Sequence, residues 1–198
     1  APLYALMSGL VRPWQKRLIK SRLREDLRTL HRMLTLNMGK GFYSYALHRR
    51  APDVWTDASR GDREQGKAYS GGGFLSACGR YTYFKFGRSF ACNQLIDFLE
   101  GYTVLMAVQL LAPLWRHCKV TVWTENSAFQ QSGEAGRSKV ERLNWLLRRL
   151  LILQVEYDFV LSYAWISTHD NYLADHLSRG RVDVFLQQVH TSGQLAPG

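Results

Sequence analysis

The chain of 198 residues has few cysteines and lacks a long apolar run, internal repeats and low-complexity tracts. Its three cysteines, Cys78, Cys92 and Cys118, have no metal-ligand spacing, and their odd number indicates reduced thiols rather than a disulfide framework. The most apolar stretch, residues 95–115, contains two carboxylates and a proline, so we expect no membrane-spanning segment and no membrane partner. The first residues lack the pattern of a signal peptide. We therefore expect an intracellular protein, in the cytoplasm or the nucleus.

The positive charge is concentrated at the start of the chain. The net charge is +10, and residues 1–50 carry eleven Lys or Arg against two acidic residues, which leaves the rest of the chain at +1. A basic arm joined to a nearly neutral domain suits a phosphate-backbone partner. A solvated helix face explains the same charge, and this alternative stays open. With 46% hydrophobic residues, the chain can form one sizeable core and a small appendage.

The basic arm is predicted to contain one helix, over residues 15–36. Apolar residues recur there every three or four positions from Ile19 to Leu34, and Pro13 stands just before the segment. Two glycines follow the helix and indicate its end. We therefore divide the chain into a basic helical arm, residues 1–50, and a domain over residues 51–198.

The rest of the chain alternates between strand and helix patterns. The glycine triplet Gly71-Gly72-Gly73 inside the second strand indicates a bulge or a close backbone approach, with flexibility as the alternative. Ser138 and Glu141 have the spacing of a capping box at a helix start. Strands are predicted from residue 54 and over 68–78, 81–86, 119–124 and 159–166, and helices over 93–111, 138–153, 172–178 and 182–189. Hairpin strands followed by crossovers predict a mixed sheet with helices on its faces.

Four carboxylates lie on four separate predicted elements. Asp57 ends the first strand, Glu100 lies on the first helix of the domain, Glu125 ends a buried strand, and Asp175 lies in a short helix. Asp is depleted in strands, so its presence at the end of this strand calls for an explanation. Taken alone, Asp57 could be explained as the first residue of a turn or as a helix N-cap. Together the four residues predict a site for a hard cation.

This order of elements and acidic residues resembles the ribonuclease H fold. Residues 55–59, Trp-Thr-Asp-Ala-Ser, look like the opening motif of retroelement ribonuclease H domains. Residues 171–179, Asn-Tyr-Leu-Ala-Asp-His-Leu-Ser-Arg, look like their closing motif, which is typical of the domain that follows reverse transcriptase in retrotransposons, particularly tyrosine-recombinase elements of the DIRS type. Residues 9–27 resemble the segment that links polymerase and nuclease in those elements.

The resemblance implies an α/β ribonuclease H-like fold with a mixed five-stranded sheet and helices on both faces, preceded by the basic arm. It implies an endonuclease that cuts the RNA strand of RNA–DNA hybrids within a retrotransposon polyprotein, with the reverse transcriptase domain as a partner. The cofactor would be two Mg²⁺ ions, with Mn²⁺ as a substitute. Asp57 would contact both ions, Glu100 and Glu125 the ion near the leaving oxygen, and Asp175 the ion that activates water.

Further residues are candidates for contacts to nucleic acid. Ser59 and Asn126 would contact the backbone or the 2′-OH that distinguishes RNA from DNA, although turn residues that satisfy local backbone groups explain both equally well. His169 is out of register with the histidine of related domains and is interpreted as a polar loop residue. The candidates on the basic arm are Lys16, Arg17, Lys20 and Arg24.

Glu125 departs from the family pattern, which has Asp at this position. One extra methylene moves the carboxylate by roughly one bond length, which is more than about an ångström, and Mg²⁺ tolerates little geometric error. A catalytically weakened domain that binds nucleic acid or serves assembly is therefore the alternative, and convergence of the four carboxylates distinguishes the two. A transposase or integrase shares the fold, but the closing motif argues against it.

Overall fold

The computed structural model describes residues 21–36, 49–50, 52–61 and 69–192. The strands are β1 (Arg49–Arg50), β2 (Val54–Ser59), β3 (Gly71–Ser76), β4 (Tyr81–Lys85), β5 (Cys118–Thr124) and β6 (Val160–Trp165). The helices are α1 (Ser21–Thr35), α2 (Arg88–Asn93), α3 (Ile96–Leu111), α4 (Ser127–Glu134), α5 (Glu141–Tyr157), α6 (Tyr172–Ser178) and α7 (Val182–Ser192), with a 3-10 turn at Ala112–Leu114.

The strands form one mixed sheet in the order β4-β3-β2-β5-β6. Strands β2, β3 and β4 form two antiparallel hairpins. Strand β5 pairs parallel with both β2 and β6. The two residues of β1 pair parallel with the start of β5. Lys119 of β5 pairs with β6 on one side, so β1 lies on the other side of β5, in line with β2. The predicted mixed five-stranded sheet is confirmed.

Helices cover both faces of the sheet, so the central strand β2 is buried on each side. On one face α3 and α5 pack over an apolar cluster that contains Val54, Val108 and Leu146. On the other face α6 packs over a smaller cluster that contains Leu75 and Leu177. Burial of both faces explains why β2 is almost continuously buried rather than alternating.

Helix α3 is the central helix of the core. The segment Ile96–Leu114 is long and apolar enough to cross a membrane by length and composition alone. In the structure, however, Leu99, Val104 and Val108 are fully buried by protein, against the sheet and α5. This packing also places Glu100 on a buried wall of the helix.

Two helices were not predicted, and two helix starts were predicted three residues too early: α3 begins at Ile96 rather than at residue 93, and α5 at Glu141 rather than at residue 138. The unassigned helices are α2 and α4. Helix α5 begins at Glu141, and its first turn has no side-chain cap, so the capping box predicted at Ser138 is wrong. Asn144 instead holds the preceding loop, because its Oδ1 accepts from the Ser138 N–H at 2.8 Å and its Nδ2 donates to the Ser138 carbonyl at 2.7 Å.

The described part of the basic arm packs on α5. Leu23 of α1 is buried, Asp26 pairs with Arg148 at 2.6 Å, and Arg32 pairs with Glu156 at 3.3 Å. The predicted helix is confirmed over Ser21–Thr35, and its first six residues lie outside the described ranges. The division of the chain at residue 50 stays a prediction.

Strand β6 is an outer strand of the sheet, and α4 covers its free edge. The Tyr163 N–H donates to Glu134 Oε1 at 2.6 Å, and its carbonyl accepts from Gln130 Nε2 at 3.1 Å. Two side chains of one helix therefore satisfy both backbone groups of this edge residue.

The glycine triplet in β3 is a site of close backbone approach. A Cβ at Gly73 would lie 2.4 Å from the Leu177 Cβ and 2.6 Å from the Ser178 backbone nitrogen. Gly73 also pairs with Asp57 across β2 and β3. The triplet therefore lets α6 pack directly on the sheet beside Asp57. The predicted close backbone approach is confirmed.

We expect Gly73→Ala to destabilise the protein by about 1–3 kcal/mol, because the added methyl overpacks the contact with α6. Urea unfolding measures the effect. Gly87→Ala is the matched control, since Gly87 has a φ of −60° and open space around its Cβ position. Equal stability of the two variants would show that α6 can shift without cost.

Candidate active site

Asp57 is the central residue of the candidate site. It lies near the end of β2, is only 5% exposed, and accepts a hydrogen bond on Oδ2 from the Ser178 hydroxyl. Burial raises the pKa of Asp57 to about 6. The Ser178 hydrogen bond lowers this pKa, while repulsion from Glu125 and Asp175 raises it further. The carboxyl group is thus costly to ionise unless a cation offsets its charge.

Glu100 reaches the same place from α3, on the opposite side of β2 from α6. It is 5% exposed, and its Oε2 is buried without a hydrogen-bond partner among the described residues. Burial, followed by repulsion from Asp57 and Glu125, raises the pKa of Glu100 well above its usual value. A buried, unpartnered carboxylate oxygen beside a second buried carboxylate is an arrangement that a bound cation would stabilise.

Glu125 follows β5 and is held by the loop between β6 and α6. Its Oε1 accepts from Asn171 Nδ2 at 3.0 Å, and its Oε2 accepts from the Thr168 hydroxyl at 2.6 Å. The Trp165 indole N–H donates to the Glu125 carbonyl at 3.0 Å. Both carboxylate oxygens are therefore positioned by side chains of one loop. The positions of these two donors match the length of a glutamate side chain.

Asp175 lies in the first turn of α6. Its Oδ1 accepts from Arg179 Nε at 2.5 Å, one helical turn later. Its carbonyl accepts from the Ser178 hydroxyl at 3.0 Å, and this hydroxyl also donates to Asp57. Consecutive residues at the end of α6, Ser178 and Arg179, thus connect Asp57 with Asp175.

The charges of Glu125 and Asp175 raise the pKa of Asp57, and the charge of Asp57 in turn raises the pKa of Glu100. Within the described residues, no three Asp, Glu, His or Cys side chains stand together in metal-ligating positions. The physical reason is that Glu125 and Asp175 are turned onto Thr168, Asn171 and Arg179. The donor set is all oxygen and includes the unpartnered Oε2 of Glu100, so its chemistry fits Mg²⁺ or Mn²⁺.

The two polar residues expected to contact nucleic acid have local partners. Ser59 is 7% exposed, and its hydroxyl accepts from the Gly61 N–H at 3.3 Å. Asn126 caps α4, since its Oδ1 accepts from the Phe129 N–H at 2.8 Å and its Nδ2 donates to Asp97 at 2.8 Å. These are the turn and cap roles that stood as the alternative, and a nucleic-acid contact from either residue stays a prediction.

The remaining candidates belong to the basic arm or to the loop before α6. Arg24 is exposed on α1, and Lys16, Arg17 and Lys20 lie outside the described residues. The side chain of His169 is 97% exposed, with Nδ1 3.4 Å from Asp170 Oδ1, which agrees with its interpretation as a polar loop residue.

Four partners of the carboxylates were missed from the sequence. Asn171, Ser178 and Arg179 lie in the closing motif together with Asp175, and their place in that nine-residue segment was the available signal. Thr168 lies before the motif, and nothing in the local sequence connects it with Glu125, 43 positions earlier.

No protein-family model and no curated protein matches the chain. Solved structures do match. Ribonuclease H1 from Halobacterium salinarum is 14% identical with a TM-score of 0.52, over 67% of this chain and 97% of its own. LC11-RNase H1 in complex with an RNA/DNA hybrid is 17% identical with a TM-score of 0.52, over 69% and 99%. The N-terminal ribonuclease H domain of a Mycobacterium tuberculosis protein is 18% identical with a TM-score of 0.50, over 70% and 99%.

These similarities concern the fold, because the identities are low. Each solved domain is covered almost completely, while about a third of this chain lies outside the match. The α/β architecture with helices on both faces of a mixed sheet, predicted from the order of elements and carboxylates, is confirmed: the chain has the ribonuclease H-like fold.

Proposed function

We propose that the protein hydrolyses the RNA strand of RNA–DNA hybrids in a reaction that depends on two Mg²⁺ ions, with Mn²⁺ as a substitute. The observation that carries this proposal is the pair of buried carboxylates, Asp57 and Glu100, on a ribonuclease H-like fold, with Glu125 and Asp175 near enough to raise the pKa of Asp57. Buried carboxylates that repel one another and raise one another's pKa values are typical of functional sites rather than of structural ion pairs.

The four carboxylates would share the ions. Asp57 would contact both ions, Glu100 and Glu125 one of them, and Asp175 the other. Bound in this way, the ions would activate a water and stabilise the leaving oxygen of the phosphodiester. The chain's own contribution is positioning: Ser178 orients Asp57, Arg179 orients Asp175, and the loop residues Thr168 and Asn171 orient Glu125.

A basic and aromatic surface on α3 and α5 supports binding of a nucleic acid. The exposed Trp145 of α5 packs near Phe98 of α3, with ring centroids 6.5 Å apart, and the Arg149 guanidinium lies 5.5 Å from the Trp145 ring. Arg142 donates to Gln94 at 3.2 Å at the same end of α3. Exposed aromatic rings with guanidinium groups offer contacts to sugars and phosphates.

We further propose that the domain follows a reverse transcriptase in a retrotransposon polyprotein, with residues 1–50 as the connecting segment. The support is the closing motif of residues 171–179, together with the packing of α1 on α5 through Leu23 and the Asp26–Arg148 pair. In that arrangement α1 would hold the nuclease at a defined position relative to the polymerase domain.

A catalytically weakened domain that binds hybrid or serves assembly is the second candidate. The observation in its favour is that Glu125 and Asp175 are hydrogen-bonded to side chains of the chain instead of converging with Asp57 and Glu100 as ligands. In this alternative the domain would bind hybrid without cutting it.

A cleavage assay separates the two candidates. A hybrid with a label on each strand is incubated with the protein in Mg²⁺, in Mn²⁺ and in EDTA, and we expect cuts in the RNA strand in both metals and none in EDTA. Hybrid binding without cleavage in either metal would favour the weakened domain. Cleavage of the DNA strand, or cleavage that persists in EDTA, would contradict the proposal.

We expect the affinity for hybrid to fall steeply with salt, because binding of basic residues to phosphates releases counterions. Replacing one Arg that contacts a phosphate should lower the slope of log affinity against log salt by about one. Arg24→Gln, at an exposed position of α1, tests the arm, and replacing Lys16, Arg17 and Lys20 as well should enlarge the change.

Arg28→Gln is the matched control for Arg24→Gln. Arg28 lies on the same helix and carries the same charge, but its guanidinium pairs with Glu25. If Arg24→Gln leaves the salt slope at the wild-type value, this face of the arm does not contact the duplex.

A further inference from the structure

Trp165, the last residue of β6, presents an aromatic ring to solvent beside the candidate active site. It is 55% exposed, compared with 39% for Trp145 on α5. Exposure of one apolar side chain is common on protein surfaces and indicates no function by itself. The fixed orientation of this ring and its place next to a carboxylate of the site distinguish it from an ordinary surface residue.

The orientation of the Trp165 ring is fixed by hydrogen bonds at the ends of β5 and β6. Its indole N–H donates to the Glu125 carbonyl at 3.0 Å. Trp165 itself pairs with Thr124 across the two strands, and the Ile166 N–H donates to the Thr124 carbonyl at 3.1 Å. Because the ring is already oriented, packing of a ligand on it would cost little side-chain entropy.

The ring lies at the edge of the sheet where the carboxylates lie. Strands β2, β5 and β6 are parallel, so their carboxyl ends meet at one edge. Asp57 lies near the end of β2, Glu125 follows β5, and Trp165 ends β6. Two strand spacings are roughly 10 Å, which corresponds to about three nucleotides at the rise of a duplex. A strand that is cut at Asp57 and runs across these ends would therefore pass Trp165 within about three nucleotides of the cut.

The charges around Trp165 favour contact with a sugar over contact with a phosphate. The Glu125 carboxylate is held by the loop that follows Trp165. Asp170 lies in the same loop, and hydrogen bonds from Ser167 and His169 lower the pKa of its carboxyl, so it is ionised at neutral pH. Two carboxylates repel a phosphate, whereas a ribose is neutral. In an intact hybrid the base faces are covered by neighbouring bases and the minor groove displays the riboses, so a ribose is the part of the strand that suits this ring.

We propose that the Trp165 ring packs against a ribose of the RNA strand within about three nucleotides of the scissile phosphate, and that this contact holds the strand in register with the carboxylates. The contact rests on the proposed function, because it requires a hybrid bound across the four carboxylates. It adds a contact at the end of β6 to those offered by the basic and aromatic surface on α3 and α5.

Two substitutions separate the ring from its indole N–H. Trp165→Ala removes both, whereas Trp165→Phe keeps an aromatic ring and removes the N–H that bonds to Glu125. Binding of a labelled hybrid in EDTA, followed by fluorescence anisotropy, should be weakened about 5–30-fold by Trp165→Ala and less than about threefold by Trp165→Phe. The slope of log affinity against log salt should stay at the wild-type value, because no phosphate contact is lost.

The matched control is Tyr81→Ala, the same truncation of an exposed ring on β4, the outer strand on the opposite side of the sheet. We expect it to bind hybrid as the wild type does, and melting temperatures show that each variant is folded. A purely structural role of Trp165, positioning of Glu125 through the N–H, predicts a different result: both substitutions would lower cleavage equally and leave the affinity in EDTA unchanged. That result, or a salt slope changed by about one, would overturn the proposal.

A scan with 2′-O-methyl groups locates the contacted ribose. Hybrids that carry one methylated ribose at successive distances from a cleavage site are cut by the wild type and by Trp165→Ala in Mg²⁺. At the contacted ribose the methyl group should slow wild-type cleavage several-fold and leave the rate of Trp165→Ala nearly unchanged. An equal effect on both proteins at every position would overturn the contact and leave the proposed function standing, whereas failure of the wild type to bind hybrid would contradict both.

Discussion

Replacing Asp57 by Asn should abolish metal-dependent cleavage of the RNA strand, with a loss of at least about a thousandfold, or about 4 kcal/mol of transition-state stabilisation. Asp57 is buried, and its pKa is affected by both Glu125 and Asp175; the substitution removes its charge while its shape is kept. Initial rates on one labelled hybrid in Mg²⁺ and in Mn²⁺ measure the loss. Cleavage that survives in Asp57→Asn would place the reaction at another site.

The matched control is Asp183→Asn, which makes the same chemical change at an exposed position in the first turn of α7. We expect this control to cut at the wild-type rate. A metal titration adds a second measurement: Mg²⁺ should raise the melting temperature of the wild type and of Asp183→Asn, but much less that of Asp57→Asn, because ligands that bind the native state stabilise it.

Asp57→Asn should also change how the free energy of unfolding depends on pH in EDTA. Folding raises the pKa of Asp57 from 3.8 to about 6, so the native state binds this proton more tightly than the unfolded state. The resulting stabilisation is complete below pH 3.8 and is lost as the pH rises to 6 and above. The whole shift of about two pKa units corresponds to about 3 kcal/mol, of which wild type should lose about 2 kcal/mol relative to Asp57→Asn between pH 4 and pH 6.5.

Glu125→Asp should reduce Mg²⁺-supported cleavage by about 10–100-fold, although Asp is the residue that the sequence resemblance implies at this position. The loop between β6 and α6 positions Glu125 through Thr168 and Asn171, and an Asp at this position is one methylene too short to reach both. Losses of this size are typical when the hydrogen-bond partners that orient a metal ligand are removed. Rates in both metals on the same hybrid measure the effect.

Thr168→Val tests the same explanation without changing the carboxylate, because it removes one of the two hydrogen bonds to the Glu125 carboxylate and keeps the side-chain volume. We expect a smaller loss in the same direction. A gain of activity in Glu125→Asp would show that glutamate is a poor ligand here and that the loop does not determine its position. Inactivity of the wild type and both variants, with hybrid binding intact, would favour the weakened domain.

The parts of the site that were predictable lie in short stretches of sequence with local physical causes. Asp57 ends an apolar strand, and residues 171–179 carry a motif whose helix, Tyr172–Ser178, has the bounds expected from the sequence. Helix α4 was not predicted, because Asn126 was interpreted as a contact to nucleic acid or as a turn residue, whereas an Asn after a strand is also a helix cap.

The unpredictable parts depend on contacts between distant segments. The hydrogen bonds to the Glu125 carboxylate come from Thr168 and Asn171, 43 and 46 positions later, and they form only when β5 and β6 pair side by side. Likewise, the reason for Gly73 is the backbone of α6, which lies more than a hundred positions away. A local pattern indicated that something must approach this glycine, and only the fold identifies it.

The covering of β6 by α4 determines where the sheet can grow. An open strand edge is a template for pairing with another chain, and such pairing leads to aggregation. At Tyr163 both backbone groups are already bonded to Glu134 and Gln130, so a foreign strand would have to displace a helix before it could add at this side. The opposite outer strand is β4, where Tyr81, Tyr83 and Lys85 are exposed. Self-association through the sheet should therefore begin at β4, and the lysine there is the kind of residue that opposes it.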